Sequence, residues 1–433
     1  MKNLTLFQII LLCVFGALAI SGVLIFALAV NGNQGDVVGP VTIWGTLDSK
    51  AFIEALQKAS DVDQRFSQVT YVQKDPATYE TDVTNALAGG GGPDLFLIRQ
   101  DYVARDAAKV IPFPLSTLSK TQFENTFIDA ANPFMTPVGA LGLPLFVDPL
   151  VLYWNRDSLS SAGFVKPPAY WEEVPDMAQA LTKRTDAGDI QKAAIAFGEY
   201  ANIANAKDVL GLLILQAGGN ITARDNTGRL APALAAPAGA ATQPTESALR
   251  FYTQFADPSN TVDYTWNRSL PEAQKTFTAG DLALYIGYAS EAQQIARMNP
   301  NLNFAVAPVP QIRGADRFVD LARVYAVGMS RTGKNQNGAK IVASLLAGPS
   351  TGKDLATSLG IPSALRDILA QPAGGNADLF NRQAILARTW IDPDPQRTAD
   401  IFRAMIERVT SGALRLPDAV ARADQEMAQI INQ

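Results

Sequence analysis

Ala88-Gly89-Gly90-Gly91-Gly92-Pro93-Asp94-Leu95-Phe96-Leu97-Ile98 is the stretch on which the fold turns. Ahead of it, Tyr79, Val83, Ala86 and Leu87 recur at the spacing of one helical face, so 79–87 reads as a helix. Behind it, 94–98 is an apolar run of strand length. The four glycines could pass for a phosphate loop. They lack its Lys-Ser/Thr ending and lie between a helix and a strand, the reverse of the order a nucleotide site uses. They read instead as a helix terminator.

Upstream, 41–44 is a short buried-strand pattern ending at Gly45. Asp48 or Ser49 can cap a helix carrying Phe52, Ile53, Leu56 and Ala59 at helical spacing, and 69–72 is a second strand. Strands alternating with helices predict a mostly parallel α/β sheet. Ligands in such sheets sit beyond the carboxyl ends of strands, which points to the loops 45–48 and 99–102. Further on, 150–154 and 282–286 read as strands, and 171–182, 209–216, 246–255 and 270–278 as helices. The Ala- and Pro-rich segment 231–244 reads as an exposed loop. After Gly338 the chain is mainly helical, ending in helices over 396–410 and 417–431. No repeat of about 20–50 residues is present, which argues against a solenoid.

The 433 residues suffice for two full cores; 48% are apolar and 18% charged. Charges of both signs are interspersed around a net −5, with no basic stripe for a nucleic acid to follow. Histidine is absent, which removes Ser-His and Cys-His nucleophiles and every His-containing zinc site. The only cysteine, Cys13, lies in the apolar N-terminal run, so no disulfide, thiol nucleophile or Cys-metal cluster is available to the body. Carboxylate-only chemistry such as glycoside hydrolysis passes this filter.

Residues 6–30 carry no charge and are long enough to cross about 30 Å of hydrocarbon as a tilted helix. Lys2 precedes the run and Asp36 follows it, which places the N-terminus in the cytoplasm and the body outside, on a single-pass anchor in the cell membrane. Ala27-Leu28-Ala29 has the form of a cleavage site, so a removed secretory signal is the alternative. Leu12 before Cys13 disfavours a lipoprotein. The Gly- and Asn-rich 31–40 reads as a flexible tether.

Specific motifs carry the reading further. Ala88 to Leu95 resembles the helix-to-strand junction of family 1 extracellular solute-binding proteins, the maltose-binding-protein group. Leu143-Pro144-Leu145-Phe146-Val147-Asp148 followed by Leu152-Tyr153-Trp154-Asn155-Arg156-Asp157 resembles that group's first crossing between lobes. Pro168-Ala169-Tyr170-Trp171-Glu172-Glu173 is similar to its Pro-x-x-Trp-Glu-Glu helix start, and Phe277 to Leu284 to its Phe-x-x-Gly-x-Ala-x strand entry. Ala307-Pro308-Val309-Pro310 and Tyr325-Ala326-Val327 look like the return crossing. Each motif alone is weak; their order and spacing match over about 41–412. The usual lipid-attachment cysteine at the start of the mature chain is missing.

The resemblance implies a two-lobed α/β periplasmic-binding-protein fold (type II), with lobe 1 at 41–147 and 325–361 and lobe 2 at 148–324 and 362–433. Hinged closure would hold a small solute in the cleft, and the closed form would dock on the permease subunits of an ABC importer. It implies a monomer that binds rather than catalyses, with no cofactor and no metal. Two other functions stay open. One is a sensor or adaptor presenting its closed form to a membrane receptor. The other is a carboxylate-based glycoside hydrolase or lyase, which needs two acids facing each other at about 5–10 Å. A ferric-ion carrier is disfavoured, because no adjacent tyrosine pair appears among the cleft candidates.

Nine residues are candidates to line the cleft. Trp44 ends the first strand, as core packing or as a stacking surface, and Asp48 lies just beyond, as helix cap or ligand contact. Arg99, Gln100 and Asp101 follow the third strand, and of these Arg99 and Asp101 are candidates. Asp148 lies at the first crossing, where the resembling proteins place a sugar-hydroxyl acceptor; a hinge hydrogen bond is the alternative. Tyr200, beside Glu199 and Asn202, follows the apolar run 193–197. Tyr288 and Glu291, with Ser290 between them, follow the strand at 282–286. Trp390 precedes the penultimate helix, near a stacking aromatic of sugar-binding relatives. Trp154 and Trp171 read as packing. Aromatic faces rimmed by carboxylates suit a polyhydroxylated ligand, whereas an anion would need several basic groups, of which Arg99 and Arg323 are in view.

Overall fold

A computed structural model describes residues 38–237 and 239–432. The expected membrane-spanning stretch 6–30 and most of the tether lie outside those residues. Among the described residues no helix is long and apolar enough to cross a membrane.

The N-terminal βαβ units form as the alternation requires. Strand β1 (Val41–Gly45) leads into helix α1 (Ser49–Val62), which Asp48 caps by accepting a hydrogen bond from the Ala51 amide at 2.9 Å. Phe52, Ala55, Leu56 and Ala59 turn inward, and Phe52 stacks on Tyr71 of β2 (Val69–Gln73) with ring centroids 4.0 Å apart. Helix α2 (Tyr79–Ala88) buries Tyr79, Val83 and Leu87 and ends where the glycine run begins. The Gly91 amide donates back to the Ala86 carbonyl at 3.0 Å, and Gly90 takes the left-handed conformation that lets the chain reverse. Strand β3 (Leu95–Arg99) follows, with Leu95 to Ile98 buried. The Asp94 carboxylate accepts from the Thr42 amide at 3.0 Å and the Asn335 amide at 2.9 Å, fastening the junction to β1.

Two long strands organise the rest. β4 (Leu143–Asn155) is one unbroken strand, eight residues longer than the 150–154 expected, and all of it but Trp154 is buried. β5 (Ile190–Ile195) and helix α3 (Ala206–Gln216) follow. α3 is apolar nearly all round because it is buried on nearly every side. Strand β6 (Leu282–Tyr288), helix α4 (Glu291–Met298) and strand β7 (Asp320–Ser330) complete the central sheet, in the order β2-β1-β3-β7-β4-β6-β5. Helices α5 (Pro395–Thr410) and α6 (Leu416–Ile431) close the chain and pack on each other.

The sheet is mixed rather than mostly parallel. β1, β2 and β3 pair in parallel, as do β5 and β6, but β3–β7, β7–β4 and β4–β6 are antiparallel. The physical reason is connectivity. β4 leaves the first half and β7 returns to it, so the two run opposite ways through the middle.

Two hydrophobic clusters flank this crossing. One gathers buried side chains from 38–147 and 322–369, with Ala384 and Ala387. The other gathers them from 150–321 and 380–430. On β4 the change falls between Val147 and Leu150, and on β7 between Leu321 and Ala322. Asp148 and Arg323 face each other in register at that seam.

Gly198, just after β5, has φ +90°, and a Cβ there would lie 2.5 Å from the Ala256 Cβ and 2.8 Å from its backbone nitrogen. Gly198→Ala therefore combines left-handed strain with a backbone clash. Urea unfolding should show a loss of about 2–4 kcal/mol, and a loss under about 0.5 would contradict this packing.

Candidate functional site

The seam between the two cores gathers charge. After β3, Arg99 holds Asp101 through Nε and Nη2, both at 2.6 Å. Burial alone would raise the Asp101 carboxyl; the doubly bonded Arg99 guanidinium overrides this and holds it below its ordinary value. From β7, Arg323 donates to Asp208 at 2.8 Å and lays its guanidinium 3.9 Å from the Tyr288 ring centroid. Burial pushes the Tyr288 phenol well above the tyrosine range, against the pull of Arg323. Lys207 pairs with Asp392, donates to Thr398 at 2.8 Å, and sits 5.2 Å from the Trp390 ring centroid.

Each group arrives by a definite route. Lys207 and Asp208 are in the first turn of α3, and Asp392 lies three residues ahead of α5. Gln100 both lines the site and braces it: its side-chain carbonyl accepts from the Val324 amide at 2.7 Å and pins the β3 loop to β7. Gln100, Asp101, Lys207, Asp208, Trp390 and Asp392 enclose a cavity of about 10 Å³, no more than a single water needs. At the rim, the Gln396 side chain accepts from Arg105 at 2.9 Å and donates to the Tyr102 hydroxyl at 3.0 Å, joining α5 to the loop after β3.

Of the nine candidates, five converge here: Arg99, Asp101, Asp148, Tyr288 and Trp390. The buried Asp148 accepts from the Ser290 amide at 2.9 Å and from its hydroxyl at 2.6 Å. Burial raises its carboxyl to about 6, against the opposing pull of Ser290 and Arg323. Half-buried Tyr200 approaches the same cluster, its phenol pushed up to about 12 by burial and then by Asp208.

The other three are placed differently. Glu291 is fully engaged by Tyr285 and Gln274, each at 2.6 Å, by the Tyr288 amide at 2.8 Å and by Asn205 at 3.1 Å. Asp48 is exposed and caps α1. Trp44 stands on the first half, packed against that core under the Lys74 ammonium, which lies 3.8 Å from its ring centroid. Trp171 packs against Phe197 and Phe251 and donates to Gln216 at 2.5 Å. Lys207, Asp208 and Asp392 were not singled out from the sequence. The signal for the first two is a pair of ionisable residues opening an otherwise apolar helix, and Asp392 has none of that kind.

The raised carboxyls make stability depend on pH. Asp148 and Asp392 sit near 6 and Glu80 near 7, all because of burial, against ordinary values of 3.8 and 4.5. The folded chain keeps these protons longer than the unfolded chain, so their favourable contribution is present at low pH and is lost as pH rises from about 4 to about 7. Carboxyls held low, such as Asp101, have ionised by pH 5 in both states and leave that window flat. Thermal unfolding should give a Tm that falls from pH 4.5 to pH 7. Asp148→Asn, which can keep both Ser290 contacts, should flatten the fall and raise Tm at pH 7.5; an unchanged slope counts against the assignment.

Comparison with known proteins agrees with this architecture. Residues 47–353 match the model of a family described as bacterial extracellular solute-binding protein. Binding proteins of Brucella abortus and Brucella suis are 22% identical over 295 residues, 67% of this chain and 67% of theirs. Among solved structures, a cyclic α-maltosyl-1,6-maltose binding protein from Arthrobacter globiformis superposes with a TM-score of 0.74 at 16% identity, covering 91% of this chain and 99% of that one. The GacH receptor of Streptomyces glaucescens, solved unliganded and with acarbose, gives 0.70 at 18% identity over 91% and 99%. The sugar-binding protein MalE from Xanthomonas citri gives 0.69 at 17% identity over 91% and 97%.

Proposed function

Because this chain belongs to the bacterial extracellular solute-binding proteins, we propose that it captures a carbohydrate between its lobes and delivers it to the permease of an ABC importer. It does so without covalent chemistry, and residues 6–30 hold it to the outer side of the cell membrane. The observation that carries the proposal is the aromatic-lined seam of paired charges. Three cations, Arg99, Lys207 and Arg323, face three carboxylates, Asp101, Asp392 and Asp208. A sugar hydroxyl donates and accepts at once, so it can bridge such pairs without upsetting their balance. An anionic solute would leave a carboxylate uncompensated in a poorly solvated place.

A solute pocket needs about 300–1,000 Å³, far more than the cavity at the seam, so entry requires the lobes to part. The two crossing strands are the hinge, with Asp148 and Arg323 at its centre. The moving bodies are the lobes around the two cores, 362–369 travelling with the first core, into which it packs. Arg99, Asp101, Asp208, Tyr288, Arg323 and Trp390 contact the solute, with Tyr200 and Trp44 as outlying walls. Asp148 and Glu291 hold the hinge and the β6–α4 turn in shape, and Asp48 holds α1.

The test is a thermal-shift and calorimetric screen of the full chain in nanodiscs against mono- and oligosaccharides, polyols, amino acids and sugar phosphates. A carbohydrate at 100 times its Kd should add about 2.7 kcal/mol of stability. Asp208→Asn and Trp390→Ala should each weaken it tenfold or more, about 1.4 kcal/mol. A shift from amino acids or anions alone would sink the carbohydrate reading.

A further inference from the structure

The segment Thr389-Trp390-Ile391 has two sides. On one lies the seam cavity; on the other lies a groove of about 440 Å³, and Thr389 and Trp390 line both. The groove is bounded by 129–135 from the first half and, from the second, by the hairpin of Thr222–Arg224 and Leu230–Pro232. None of the nine cleft candidates except Trp390 belongs to it.

Its chemistry differs from that of the seam. Met135, Leu215, Leu230, Ile391 and Trp390 make its apolar surface. Its charges are unbalanced. Asp129 is shared by two guanidiniums, Arg388 at 3.1 Å and Arg366 at 2.5 Å, so one positive charge there is left over. Arg224 spends one N–H on the Gly228 carbonyl at 2.8 Å and meets no carboxylate among the described residues. The groove thus offers guanidinium donors beside an apolar wall, in a volume suited to a small molecule.

We propose that this groove is a second binding site, distinct from the solute seam, for a small organic anion with an apolar body, such as an aryl carboxylate. The carboxylate meets Arg388 and Arg224, and the hydrocarbon lies against Trp390 and Leu230. The proposal does not depend on what the seam binds.

Isothermal titration of the full chain in nanodiscs with 2-naphthoate, blanked against empty nanodiscs, tests it, with uncharged 2-naphthamide as the twin probe. The expected result is one naphthoate per chain, with naphthamide at least tenfold weaker. Arg224→Gln and Arg388→Gln should each weaken naphthoate at least fivefold. Arg388→Gln also loosens Asp129, whereas Arg224 lies exposed on the hairpin, so its variant reads the site without a folding cost. No heat above the blank, equal binding of the amide, or unchanged binding by Arg224→Gln would each overturn the proposal.

Discussion

Everything else in the molecule depends on the antiparallel pairing of β4 with β7. Through it a hydrogen-bonded ladder, with one register shift between Tyr325 and Ala326, runs from the first core into the second. Backbone ladders resist stretching but tolerate twist, so bodies joined through such strands can rotate while each keeps its own buried interior. The change of core falls at Asp148 and Arg323, the one place on the ladder where charged side chains stand opposite each other.

That seam explains the density of ion pairs around it. Where two packed bodies meet, backbone groups are already satisfied by the ladders, so specificity falls to side chains. Arg99–Asp101 and Arg323–Asp208 are paired across short loops or between neighbouring elements, which keeps each charge compensated in a poorly solvated place. The guanidinium of Arg323 lies on the Tyr288 ring, so one side chain links the hinge strand, the end of β6 and the start of α3. Under the proposed function, a rotation at this crossing would rearrange the network and so couple the lobes to a solute held between them.

Much of this was legible in the chain. The glycine run after α2, the cap at Asp48, strands β1, β2, β3 and β6 and the two closing helices fall within a few residues of where periodicity puts them, because each is decided by local backbone preference and one apolar face. The sheet was misread as mostly parallel, since strand direction in the middle depends on pairings between residues more than 170 positions apart, such as Phe146 with Tyr325. At the site, residues following strand ends, Arg99, Asp101 and Tyr288, could be named in advance by the geometry of α/β sheets. Lys207, Asp208 and Asp392 could not, because a charged residue at the start of a helix is commonplace.

By itself the sequence determined the elements, the absence of histidine and thiol chemistry from the body, and, through five weak motifs in order, the family. Those depend on near neighbours in the chain or on composition. The tertiary structure alone decided which charges meet. It turned Glu291 inward onto the Tyr288 amide and Tyr285 hydroxyl and Asp148 onto the amide and hydroxyl of Ser290, left Trp44 on the first half under Lys74, and brought Asp101, Asp208 and Asp392 around one small cavity. The reason is physical: a carboxylate's role is set by the donors within about 3 Å of it. Over most of this chain those donors come from segments that only the fold brings near.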